Sequence, residues 1–154
     1  MKWQSIGLVM GLTLAGCSAH SSGDGAARVE SLASHAHCGL PAPGVILAQD
    51  AAHWEQLRSQ AGVELPSWPA DGDRWLLVAS LGQQTTAGHA VTLAQATQDG
   101  DTLTLHVNVK HPEPGAMAAQ VMTTPCLVTA IPADGWQQVT VSGDAPFPVT
   151  RPHP

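Results

Sequence analysis

Eight histidines and three cysteines carry most of the reactive chemistry of this 154-residue chain. His35, His37 and Cys38 place two imidazoles and a thiol within four positions, all competent ligands for zinc or copper. In an extended strand, however, His35 and His37 share one face while Cys38 turns to the other. His89, His106 and His111 offer further nitrogens, and Met117 and Met122 offer soft sulfurs, but no spacing among them is diagnostic. Solvent-facing histidines are therefore the expected state, with no metal and no cofactor. A zinc- or copper-binding or small-ligand-binding protein is the alternative. Hydrolase chemistry finds no footing either. Ser80 in "ASLG" lacks the flanking glycines of a nucleophile elbow, and Asp71, Asp73, Asp99, Asp101 and Asp134 fall in turns, where aspartates bond their own backbone. No catalytic residues, and no enzyme, are expected.

The third cysteine has a different context. Ile6 to Leu14 is an apolar run of about ten residues after a single early lysine. That is half the ~20 residues a bilayer span needs and suits the core of an export signal. Leu14-Ala15-Gly16-Cys17 ends the run with a pattern that resembles the lipobox of bacterial lipoproteins. The resemblance implies a signal peptide over 1–16, cleavage before Cys17, and lipidation (palmitate among the acyl groups) of that residue. Ser18, standing where an Asp often marks inner-membrane retention, implies sorting to the outer membrane, with the domain facing the periplasm. Residues 17–28, small and polar, read as a flexible tether. With Cys17 committed, Cys38 and Cys126 remain in an oxidising compartment and are expected to pair. The 89-residue loop so closed would contribute about 4.5 kcal/mol by chain entropy.

Positioning elements follow from periodicity. Charged residues are scarce at 12%, while Gly and Pro number 15 and 12, as in a turn-rich β protein. Lys and Arg total 6 against 12 acids, and no basic stripe appears, which excludes nucleic acid as a partner. Strands are expected over 29–38 and 44–48. Asp50 should cap a helix "AAHWEQLRSQA" that carries Trp54, Leu57 and Ala61 on one stripe and stops at Gly62. Arg74 to Leu81, apolar on both parities, should be a central strand. Strands 89–97 and 102–110 flank an Asp99-Gly100 hairpin turn. Its register would set Leu103, Leu105, Val107 and Val109 on one face with Ala96, Ala94, Thr92 and Ala90. An irregular loop 111–125 and strands 126–131 and 136–141 come next. The tail 142–154, with Pro146, Pro148, Pro152 and Pro154, is expected to make no ladder. The fold class is α+β and β-dominated: a small antiparallel sheet or two-sheet sandwich with one early helix over residues 29–141.

"AAHWEQL", "DRWLLVASLGQQTTAGHAVTL", "LTLHVNVKHPEPG" and "MTTPCLVTAIP" together resemble the C-terminal domain of PrcB-type protease complex subunits. Ala87 and His89 stand where that pattern favours Gly and Tyr. The resemblance implies a non-catalytic accessory domain that binds another envelope protein, in the founding case a protease. It directs attention to Thr86, Gly88 and His89 of the turn and to Thr123, Thr124 and Pro125 before the late strand. Trp68, between Pro66 and Pro69, joins them as an aromatic suited to an interface core.

Overall fold

The computed structural model describes residues 27–154; Cys17, the signal segment and most of the tether lie outside them. Nine elements follow in order: β1 Glu30–His35, β2 Pro43–Ala48, α1 Ala51–Ala61, β3 Arg74–Leu81, β4 Ala90–Asp99, β5 Thr102–Lys110, β6 Cys126–Pro132, β7 Gln138–Ser142 and β8 Val149–Pro152. They build two four-stranded sheets, β1-β6-β3-β2 and β4-β5-β7-β8. The expected β-dominated, two-sheet architecture with one early helix is the one found.

The first sheet is antiparallel throughout and is covered on both faces. Leu77, Ala79 and Leu81 of β3 point between the sheets with Val45, Leu127 and Ile131, while Leu76 and Val78 face the helix with Ala48, Trp54 and Val128. Period-two alternation between two apolar environments explains why β3 is apolar at nearly every position. The helix packs through Trp54 and Ala61. Asp50 accepts the His53 N–H at 2.7 Å, Gly62 ends the helix at φ 65°, and the Trp54 indole donates to Pro66 O at 2.8 Å. Trp68 is half-buried against the same cluster.

The expected hairpin is corrected in two respects. The hairpin turn is centred on Gly100-Asp101, because Asp99 pairs with Thr102. Only Gly100 has positive φ, which is the demand of a type II′ turn and not of the I′ turn expected. A bulge at Ala94 then shifts the ladder, so Val107 and Val109 pair with Leu93 and Val91. The extra residue exchanges the faces of the first half of β4 and puts Val91 and Leu93 against the core in place of Thr92 and Ala90. Next, β7 runs parallel to β5, because the chain passes through β6 in the other sheet before returning.

The proline-rich tail makes a ladder after all: β8 pairs with β7 as an edge strand. The His153 N–H donates to Gln137 O at 2.7 Å, which fixes odd-numbered residues as the bonded parity. Pro148 and Pro152 are even-numbered, so their missing N–H groups would have faced away from the sheet. His153 is then held between Trp75 and Trp136, with ring centroids 4.8 and 4.5 Å away, and its Nε2 lies 2.9 Å from Ala133 O.

The sheets also meet along their edges. Ser34 Oγ donates to Val91 O at 2.7 Å between β1 and β4, and Arg151 Nε to Val45 O at 3.2 Å between β8 and β2. Ala27 donates to Ala96 O at 3.3 Å, so the last tether residues dock on β4 near the hairpin turn. Both described chain ends therefore belong to one pole of the sandwich. The other pole gathers the chain around 36–42, the turn 82–89 and the loop 111–125.

Candidate functional site

The second pole is built from two irregular segments locked to each other. Gln84 and Thr123 exchange backbone hydrogen bonds of 2.7 and 2.9 Å, and Ala87 N–H donates to Ala119 O at 3.0 Å. Below them the disulfide Cys38–Cys126 is formed, with Cα atoms 6.0 Å apart and both residues fully buried. Thr124 Oγ1 accepts from the N–H groups of Cys38 and Gly39, each at 2.9 Å. The irregular stretch is thereby clamped at its exit to the end of β1.

Of the residues singled out by the sequence, Thr86, Gly88, His89, Thr123, Thr124 and Pro125 come together here; Trp68 packs elsewhere, on the helix side. Their roles divide. Thr123 is only 3% exposed, and its hydroxyl donates to Thr86 O at 3.0 Å. Pro125 is buried, its carbonyl taken by Leu81 N–H at 2.9 Å. These two, with Thr124, form the underside of the pole. Gly88, at φ 95°, is exposed, and a Cβ there would press on the Pro112 ring at 3.1 Å. The close approach of Gly88 to Pro112 brings the two segments flush.

His89 stands at the centre. Its Nε2 lies 3.1 Å from Thr86 Oγ1, and its Nδ1 lies 3.0 Å from Nδ1 of His111. In that bond one Nδ1 donates and the other accepts, according to the tautomers of the two rings. Partial burial, with the neighbouring His111 as a lesser cause, lowers the His89 pKa below the ordinary histidine value. A hydroxyl, an imidazole and a third group in a row have the outline of an activated nucleophile. Here the third group is a second imidazole and not a carboxylate. It offers no negative charge to stabilise an imidazolium, and His89 is a weaker base than a free histidine. The arrangement serves better as a clasp between the start of β4 and the end of β5.

What the pole presents outward was not legible residue by residue. Among the described residues, the exposed large hydrophobic side chains are Met117, Val121 and Met122, all on the 111–125 loop. A shallow, mostly apolar recess of about 380 Å³ lies between Gly88, Pro112, Ala116 and Met117. The signal that could have found these three was the loop's composition, since "GAMAAQVM" places apolar residues in a stretch with no core-facing periodicity. Met122 is steadied by the Gln83 amide, 3.2 Å from its sulfur. At the opposite pole a polar cleft of about 460 Å³ includes Arg28, Asp73, Arg74 and Asp134. Arg74 is engaged there by the Arg28 carbonyl at 3.0 Å.

No curated protein and no solved structure matches the chain. Residues 76–132 match the family described as PrcB C-terminal. The matched segment begins inside β3, spans the β4–β5 hairpin and both segments of the loop pole, and closes at the end of β6. Over that segment the chain is similar to the PrcB C-terminal family.

Proposed function

We propose that this domain is a non-catalytic accessory module that binds another envelope protein through its loop pole, in the manner of a subunit that stabilises or positions a protease. The observation that carries the reading is the confinement of Met117, Val121 and Met122 to one braced loop inside the family-matched segment. Exposed apolar side chains held on a rigid support suit an interface core, where association hides them from water at small ordering cost. Strand addition at a sheet edge is the less favoured route, since β1 lies against β4 and β2 against β8.

Lipidation at Cys17, with residence on the periplasmic side of the outer membrane, completes the proposal. Ala27 docks near the hairpin turn, so a tether from the bilayer would enter at one pole and leave the Met-bearing loop at the other. The partner would then be a periplasmic or periplasm-facing protein and not the lipid surface.

The test is cross-linked capture from envelope membranes. Wild type should enrich a specific partner, and the M117D/M122D double variant, whose side chains are solvent-exposed, should lose it while keeping its unfolding midpoint. Equal capture by both would exclude the loop as the binding surface. Separately, Cys17→Ser should move the protein into the soluble fraction; continued pelleting with membranes would remove the lipid anchor from the reading.

A further inference from the structure

We propose that His89 and His111 form a two-nitrogen site for a transition-metal ion, with copper(II) as the best fit. The argument begins in the ladder. Ala90 pairs with Lys110 at the end of the β4–β5 hairpin. His89 and His111 are the next step in the same register, and directly opposite positions of an antiparallel pair hold their side chains within reach. Their Nδ1 atoms lie 3.0 Å apart.

Distance selects the ion. With metal–nitrogen bonds of about 2.0–2.1 Å, two ligands at a right angle are separated by about 2.9 Å, and two at the tetrahedral angle by about 3.4 Å. The observed separation fits adjacent corners of a tetragonal centre, the geometry of copper(II) and nickel(II), better than the tetrahedral one of zinc. Within the divalent series copper also binds nitrogen sites most tightly. An ion bound there would displace the proton of the Nδ1 that donates in this bond.

The surroundings suit this exchange. Once Nδ1 of His89 is a ligand, its proton resides on Nε2, where Thr86 Oγ1 stands at 3.1 Å to accept it. A hydrogen bond to the far nitrogen is what orients histidine ligands and raises their basicity. Thr86 is itself fixed through its carbonyl by the buried Thr123. His111 is exposed, which gives an entry path from solvent and leaves the remaining coordination positions to water. Among the described residues no group of three or more His, Cys, Asp or Glu gathers to hold a metal, so the two imidazoles would be the whole protein ligand set of this site.

The experiment titrates the full chain in detergent with copper(II) alone and reads calorimetry and electron paramagnetic resonance. One equivalent should bind with hyperfine coupling to two nitrogens, and zinc should bind more weakly. His89→Gln and His111→Gln should each lower copper affinity at least tenfold, whereas the H35Q/H37Q variant should not. As a readout independent of affinity, copper should raise the urea midpoint of wild type but not of H89Q/H111Q. Copper binding retained by H89Q/H111Q, or lost in H35Q/H37Q, would overturn the proposal.

Discussion

Removing the Cys38–Cys126 bridge by the C38A/C126A double substitution tests how this domain is held together. The sulfurs join residues 88 apart in sequence, which closes a loop containing most of the described chain. In the chain-entropy account the cross-link removes about 15 cal/mol/K from the unfolded ensemble, or about 4.6 kcal/mol at 25 °C. Against a typical stability of about 5–15 kcal/mol, that is a third or more of the total. With a urea m-value of about 1.5–2 kcal/mol/M, the midpoint should fall by about 2–3 M. The measurement is equilibrium urea unfolding followed by tryptophan fluorescence, with wild type under oxidising conditions as reference. Since Trp54 and Trp136 are buried in different clusters, single-tryptophan variants retaining one or the other should give coincident transitions. A second readout locates any local effect: the bridge lies beneath the loop exit, so protease cleavage within 111–125 should accelerate in native buffer. A midpoint loss below about 0.5 M, with unchanged cleavage, would refute the view that the cross-link stabilises through the unfolded chain.

Other substitutions separate backbone from packing effects. Gly39→Ala should cost about 3 kcal/mol, because Gly39 has φ 66° and a Cβ there would overlap the Ala61 carbonyl; Gly62→Ala, at φ 65° with open space around it, should cost only about 1 kcal/mol, both read from urea midpoints. Thr124→Val should lose about 0.5–1 kcal/mol, since the exposed Gly39 N–H passes to water and Cys38 N–H keeps the Thr124 carbonyl, and Thr124→Ser should recover most of it in the same assay. Deleting Ala94 should cost less than about 1 kcal/mol, since Leu93 and Gln95 already pair with the adjacent residues Val107 and His106; a cooperative thermal transition close to wild type checks this, and loss of folding would contradict the bulge assignment.

Local chemistry was readable in the sequence wherever one interaction dominates. Asp50 and Gly62 bracket the helix because capping is decided within a turn, and β3 declared its central position because both parities are apolar. The Cys38–Cys126 pair followed from count, once Cys17 was set aside and an exported, oxidising setting was expected. Register was less accessible. A bulge is one residue's difference in length between strands, and Ala94 carries no marker that Ala96 lacks, yet it decides whether Val91 or Thr92 meets the core. The tail failed for a related reason: proline content argues against a ladder until the parity of each proline is known, and parity is set by where His153 docks. At the candidate site, Thr86, His89 and Thr123 were found by motif, but motif could not tell that Thr123 faces inward while Met117 faces out. That distinction depends on how two loops distant in sequence fold over each other.

The arrest of His153 between Trp75 and Trp136, close to where Ala27 settles on β4, has a bearing on how the module can be joined to other polypeptides. Entry and exit on the same side allow it to be spliced as a cassette into a host protein's surface turn, or to carry a cargo after Pro154, with the loop pole unobstructed. A cargo reaching past the rings would need its own spacer, since the last ordered imidazole is already seated in the wall of the core.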